Sequence, residues 1–205
     1  MSEKIRPVTQ KKIILASKSP RRREILENLG IAFEIVTAET DESSTQCDPR
    51  LLVEELSLRK AQAVRDRLAD EGRLDADCVI LASDTVVAVD GAILGKPRDA
   101  ADARCMIERL SGRRHEVISG IALIGNGACG ATHEVTEVEF DTPDAEALEC
   151  YLATAEPYDK AGAYAIQGTA SLWIRGIRGC YFNVVGLPVY RLCTLFGELF
   201  GEKIV

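Results

Sequence analysis

Ser17-Lys18-Ser19-Pro20-Arg21-Arg22-Arg23 gathers hydroxyls and guanidinium groups where a short apolar run, Ile13 to Ala16, meets a helix start at Ser19-Pro20. Cations at the positive end of a helix dipole are unfavourable by roughly 0.3–1 kcal/mol each. A bound anion reverses that sign, because free backbone N–H groups and guanidinium forks both point at it. The stretch therefore reads as a phosphate site, set against the plainer alternative of a solvated basic turn. Arg21 and Arg22 are expected to face the anion and Arg23 to face solvent.

Three further groups carry chemistry. Asp84 closes the most apolar run of the chain, Cys78 to Ala82, and reads as a carboxylate delivered from the core to a loop mouth. Lys96, bounded by Gly95 and Pro97, is a point charge suited to a phosphate. The stretch from Asp159 to Gly168 is rich in Gly and Ala, which allow close backbone approach. It offers Asp159 as a metal ligand, Lys160 as a phosphate cation and Gln167 as a base-reading amide. A carboxamide carries both a donor and an acceptor and so matches the edge of a uracil-type base. Glu39, Asp41 and Glu42 form an acidic loop that could add carboxylates for a metal or simply be solvated. His115 reads as a packing or hydrogen-bonding residue at a strand start and His133 as exposed.

These residues need elements to position them. A helix from Pro20 to about Gly30 follows the first strand, and Phe33 to Val36 alternates like a second. Asp48-Pro49 opens a helix running to about Asp70. The run at Cys78 ends in Ser83-Asp84-Thr85, Val86 to Val89 resumes as strand, and Asp90-Gly91 is a hairpin turn. Asp99 caps a helix to about Leu110; His115–Ile124 and Ala131–Phe140 pair through a Gly125-Asn126-Gly127 turn. A helix covers roughly Asp144–Thr154, and a final one carries Val189, Leu192, Leu195 and Phe196. Ser171–Arg175 and Cys180–Val185 read as strands joined by Gly176 to Gly179. The mixture of helices and hairpins predicts an α/β fold: a mixed twisted sheet flanked by helices, with two lobes and a central cleft. Residues 1–11 read as a polar extension and 12–205 as a single domain.

The bulk properties limit the partners. At 205 residues with 46% hydrophobic and 28% charged residues the composition is that of a soluble globular protein, and a net charge of −7 does not attract nucleic acid or anionic membranes. An anionic substrate must then be met by a local basic cluster. The polar N-terminal segment does not read as a signal peptide, and no apolar run reaches the roughly 20 residues of a membrane span. Seven scattered cysteines without a C-x-x-C pair argue for reduced thiols in a cytoplasm.

Four separated motifs, in order, resemble the Maf (septum-formation-inhibitor-like) family of nucleoside triphosphate pyrophosphatases. They are Ser17 to Arg22, Ser83-Asp84-Thr85, Gly95 to Arg98, and Asp159 to Tyr164 followed by Ile166-Gln167-Gly168. Asn183-Val184-Val185-Gly186-Leu187-Pro188 is similar to the family's C-terminal motif, and the likeness runs from about Ile13 to Phe196. The presence of Gln167 resembles the branch acting on dTTP and UTP; the branch preferring 7-methyl-GTP carries an acidic residue there. Ala165 stands where that loop is expected to carry glycine.

The resemblance implies Asp84 as catalytic carboxylate and metal ligand, and Arg22, Thr85 and Gln167 as determinants of substrate choice. It places Ser17, Arg21, Lys60, Lys96 and Lys160 around the phosphates, with Glu42 as a second ligand to Mg2+ or Mn2+. The expected reaction is cleavage of the α–β phosphoanhydride bond, a house-cleaning activity against unwanted nucleotides. Alternatives are the same chemistry on a modified purine or 7-methyl-GTP, and a nucleotide-binding regulator of cell division without turnover. The oligomeric state stays open, a homodimer being one option.

Overall fold

A computed structural model of the chain describes residues 9–125 and 127–204. Most of the expected N-terminal extension and the Asn126 position of the second hairpin lie outside them.

Strand β1 (Lys12–Leu15) leads into helix α1 (Pro20–Asn28), and β2 (Phe33–Ile35) follows. Helix α2 (Pro49–Asp70) starts as its sequence dictates: Asp48 accepts the Arg50 backbone N–H at 2.9 Å, and Pro49 occupies the first turn. Next come β3 (Cys78–Val89), β4 (Ala92–Leu94), α3 (Ala100–Leu110), β5 (Arg113–Gly125), β6 (Ala128–Phe140) and α4 (Ala145–Leu152). Asp99 and Asp144 cap α3 and α4 by accepting the N–H of Asp102 and Ala147, each at 2.8 Å. The chain ends with β7 (Ile174–Arg178), α5 (Tyr181–Val185) and α6 (Val189–Phe200).

The strands form one sheet in the order β2-β1-β3-β5-β6-β7, with β4 paired to β3. It is mixed, as expected: β1 runs parallel to β2 and β3, while β3–β4 and β6–β7 are antiparallel. At the β3–β4 turn Asp90 (φ 49°) and Gly91 (φ 74°) are both left-handed, the backbone a two-residue hairpin needs to match strand twist.

The chain divides into two compact units: residues to Asp84 with Ser119–Glu134 and the segment from Gly186 onward, and Thr85–Ile118 with Val135–Val185. In the first, Ile14, Ile80, Ala82 and Ile124 of the sheet pack with Ala61, Val64 and Leu68 of α2. Strand β5 and helix α2 meet there so closely that a Cβ on Gly120 would lie 2.3 Å from the Val53 carbonyl oxygen. In the second, Ile107 and Leu110 of α3 pack with Phe140, Tyr151, Tyr164 and Trp173. Its rings meet edge-on, Phe140 with Tyr164 at 5.2 Å and Tyr151 with Trp173 at 5.1 Å.

Three local expectations are corrected. Strand β3 does not end at Ser83-Asp84-Thr85 but continues unbroken to Val89. The expected strand Ser171–Arg175 is a 3-10 turn over Thr169–Trp173, and the strand is Ile174–Arg178, which includes residues read as a connection. Cys180–Val185 is not a strand either; Tyr181–Val185 is a short helix. A segment this short does not distinguish the two by periodicity. The outcome is decided by Asn183, whose fully buried amide donates to the Val117 carbonyl and to Thr136 Oγ1, each at 2.9 Å.

Candidate active site

In the first unit, β1 hands the chain to the Ser17–Arg23 stretch, and the Ala16 N–H extends the pairing to the Leu81 carbonyl at 2.8 Å. The helix starts where expected, but the Ser19 side chain makes no capping bond. The buried Ser17 hydroxyl does the local work: its Oγ accepts the Ser19 N–H and Arg22 Nη1–H, each at 3.2 Å. Arg22 Nε donates to the Gly186 carbonyl at 2.7 Å, and Ser83 Oγ donates to the same oxygen at 3.0 Å. Gly186 sits at φ 120°, a conformation that favours glycine.

Burial pulls the Arg22 guanidinium down to about 10, Asp84 and Glu42 pull it back up, and neighbouring Arg21 pushes it down. It therefore remains charged at neutral pH, and Arg21, Glu42 and Asp84 all lie close enough to act on it. Arg23 is exposed and pairs with Glu27 at 3.6 Å, as expected of the solvent-facing member.

Asp84 does not stand at a strand end. It is an interior residue of β3, on the same face as Ile80 and Ala82 because side chains alternate along a strand. That face packs on α2, and α2 supplies Lys60. Lys60 Nζ lies 2.5 Å from Asp84 Oδ1 and 2.9 Å from Glu42 Oε1, so one ammonium separates two carboxylates. The preceding residue secures the loop that brings Glu42: Arg59 Nη1 donates to the carbonyls of Asp41 at 2.9 Å and Ser43 at 2.7 Å. Glu42 and Asp84 are the residues that could hold a divalent cation. Among the described residues no cluster of three or more His, Cys, Asp or Glu is set to do so. Two carboxylates suit Mg2+, which usually takes one or two of them and completes its shell with water and substrate phosphate.

In the second unit, Thr85 follows Asp84 on β3 and is half-buried, while Lys96 is exposed on the loop after β4. The Gly162 N–H donates to the Gly95 carbonyl at 3.0 Å, tying the Lys96 loop to the Lys160–Gln167 loop. Gly162 is required here: its φ is 69°, and a Cβ would meet Val87 Cγ2 at 2.9 Å. Lys160 Nζ donates to the Glu156 carbonyl at 2.7 Å and pairs with Asp159. Gln167 is exposed at the end of this loop.

His115 is buried and shares a 2.6 Å hydrogen bond between Nε2 and the Tyr164 hydroxyl, the packing role expected of it. Its Nδ1 is buried with no hydrogen-bond partner among the described residues. Burial pushes it down to about 4 from 6.5, so the folded protein resists a proton that the unfolded chain accepts. Stability from this group is therefore complete above pH 6.5 and falls as pH drops toward 4, by about 3 kcal/mol across the interval. Urea midpoints measured between pH 7 and pH 4.5 should fall more steeply for the wild type than for His115→Phe; equal slopes would refute this account. His133 is half-buried rather than exposed, its Nδ1 2.7 Å from Glu54 Oε1.

Three contributors lie outside the side chains singled out from the sequence: the Gly186 carbonyl, Arg59 and Glu156. Gly186 lay within the C-terminal motif, a usable signal. Arg59 and Glu156 gave none, since both act on backbone groups through loop geometry.

Three curated proteins are similar over nearly the full length, each a dTTP/UTP pyrophosphatase. That of Symbiobacterium thermophilum is 47% identical over 189 residues, 90% of this chain and 94% of that one. The Desulforamulus reducens protein is 43% identical over 196 residues, 94% and 98% of the two chains. The Clostridioides difficile protein is 46% identical over 192 residues, 92% and 95%. A solved structure, the Staphylococcus aureus Ham1 protein, overlaps 63% of this chain and 72% of that one at 14% identity and a TM-score of 0.45. Residues 12–199 match the family described as Maf-like protein.

Proposed function

The chain belongs to the Maf family, and from that premise we propose that it hydrolyses dTTP and UTP to the monophosphate and pyrophosphate. The observation that carries the chemistry is the Asp84–Lys60–Glu42 arrangement with Arg22 acting on the same charges. A base, a phosphate counter-charge and a second carboxylate are thereby held together before substrate arrives.

Asp84 takes the proton of a water whose oxygen attacks the α-phosphorus; the bond to the bridging oxygen of the β-phosphate breaks and pyrophosphate departs. Arg21, Arg22 and Lys60 offset the charge that develops on the phosphoryl oxygens, with Ser17 fixing the Arg22 fork. Lys96 and Lys160 bind phosphate as point charges. Asp84 and Glu42 would hold Mg2+ or Mn2+, which when bound supplies Lewis-acid neutralisation of phosphate oxygens. Thr85 and Gln167 set base preference, and the Gln167 amide offers the donor and acceptor that a thymine or uracil edge requires. No helix among the described residues is long and apolar enough to cross a membrane. Seven free thiols support the reducing cytoplasm proposed for it.

Pyrophosphate release across a panel of nucleoside triphosphates, with Mg2+, Mn2+ and chelator, tests this reading. dTTP and UTP should lead the panel, and chelator should abolish turnover. Leading activity on a modified purine or on 7-methyl-GTP would replace the base assignment, and binding without release would mark a regulator. Gln167→Glu should lower kcat/KM for dTTP by at least about tenfold, since an acidic group offers no donor to the base. Unchanged base preference in that variant would remove Gln167 from the site.

A further inference from the structure

One residue outside every motif spans the loop that carries Lys160 and Gln167. Glu156 lies just before it, in a 3-10 turn (Glu156–Asp159). Its backbone carbonyl accepts Lys160 Nζ at 2.7 Å, fixing one end. Its carboxylate reaches the other end: Oε2 accepts the Thr169 N–H at 2.8 Å, and Oε1 lies 3.4 Å from the Ala170 N and from the Tyr151 hydroxyl. The Tyr151 hydroxyl also donates to the Ala163 carbonyl at 2.9 Å, in the middle of the same loop.

The loop is built around this carboxylate. Between its two anchors lies Gly168, where a Cβ would fall 2.0 Å from Glu156 Oε1 and 2.4 Å from its Cδ. Gly168 has no positive φ, so its glycine is required by the neighbouring carboxylate rather than by backbone strain. A surface glutamate pairs with cations; this one spends its oxygens on backbone N–H groups thirteen and fourteen residues away.

We propose that Glu156 is a positioning residue for base and phosphate recognition, holding Lys160 and Gln167 at a fixed separation by bracing both ends of the loop between them. The proposal rests on the assignment of Lys160 and Gln167 to nucleotide binding. It separates a loop set by its own turns from one whose geometry is imposed by a single side chain. Misplacing a contact group by about 1 Å can cost on the order of a hundredfold in rate, so loss of the brace should be felt without removal of any contact.

The test compares Glu156→Ala, Glu156→Gln, Gly168→Ala and the Glu156→Ala/Gly168→Ala double variant in the full-length protein, using dTTP and dCTP. Glu156→Ala should lower the dTTP-to-dCTP ratio of kcat/KM by about tenfold and raise KM for dTTP more than it lowers kcat. Glu156→Gln, which keeps one acceptor oxygen, should recover part of the ratio. Gly168→Ala should resemble Glu156→Ala, because its methyl displaces the carboxylate. The double variant should be no worse than Glu156→Ala alone, since both changes break one contact. Should Glu156→Ala not fold, Gly168→Ala carries the same expectation.

Amide hydrogen exchange over residues 160–170 reads the brace without reference to turnover, and should speed up in Glu156→Ala. A wild-type base ratio in Glu156→Ala or Gly168→Ala overturns the proposal, as does additivity in the double variant. Accelerated exchange with unchanged discrimination would show a brace with no part in recognition, which also overturns it. Failure of the wild type to release pyrophosphate from dTTP would instead count against the assigned function.

Discussion

Asp84→Asn should reduce kcat on dTTP by at least about a hundredfold, the size expected when a positioned proton acceptor is lost. The substitution keeps the volume of a half-buried side chain, so the fold has little reason to change. What changes is charge. Lys60 loses the negative charge of its 2.5 Å partner and keeps that of Glu42 at 2.9 Å, which leaves its ammonium accompanied. Nucleotide binding should therefore survive, because Arg22 and the lysines that meet the phosphates are untouched. Single-turnover kinetics alongside calorimetric binding separate the two effects. Turnover near the wild-type rate would sink the assignment of Asp84 as proton acceptor. Loss of binding together with turnover would leave Asp84 only its role in holding the cation.

Gly120→Ala should destabilise the protein by at least about 3 kcal/mol, the upper end of ordinary overpacking. The reason is what the new methyl would strike. It would meet the Val53 carbonyl oxygen at 2.3 Å, its carbon at 2.5 Å and the Glu54 nitrogen at 2.9 Å, all backbone atoms of α2. A flexible side chain could turn aside; a helix backbone has to move as a body. For a chain of this size the expected fall in Tm is about 6–12 °C, readable by circular dichroism or calorimetry. The same helix presents Lys60 two turns beyond Val53, so catalytic efficiency should fall even at temperatures where the variant is folded. A Tm within about 2 °C of wild type would mean that strand and helix do not approach this closely.

The local elements were legible because their determinants lie within a few residues of one another. Asp48-Pro49 fixes where α2 begins, Asp90-Gly91 supplies two left-handed residues for a hairpin, and Asp99 and Asp144 cap the helices that follow them. The segment from Thr169 to Val185 was not legible by the same means. Its apolar runs are too short for periodicity to separate strand from helix, and the deciding contacts of Asn183 reach 66 and 47 residues back along the chain.

The basic stretch at Ser17–Arg23 and the Lys160–Gln167 loop could be singled out from the chain because their charges stand beside a helix start and among small residues. The family resemblance added Lys60, which periodicity alone leaves as a charge on a helix, and singled out Glu42 from an acidic loop already offered as a source of metal carboxylates. Sequence by itself thus determined which side chains are available, where the helices from α1 to α4 begin and the family to which the chain belongs. Only the tertiary structure decided that Asp84 lies inside a continuous strand, facing a lysine 24 residues away, and that Arg22 is oriented by a carbonyl 164 residues away. A strand continues or ends according to the neighbours it pairs with, and those neighbours are distant in sequence. Alternation then follows from the pairing and turns the carboxylate toward α2.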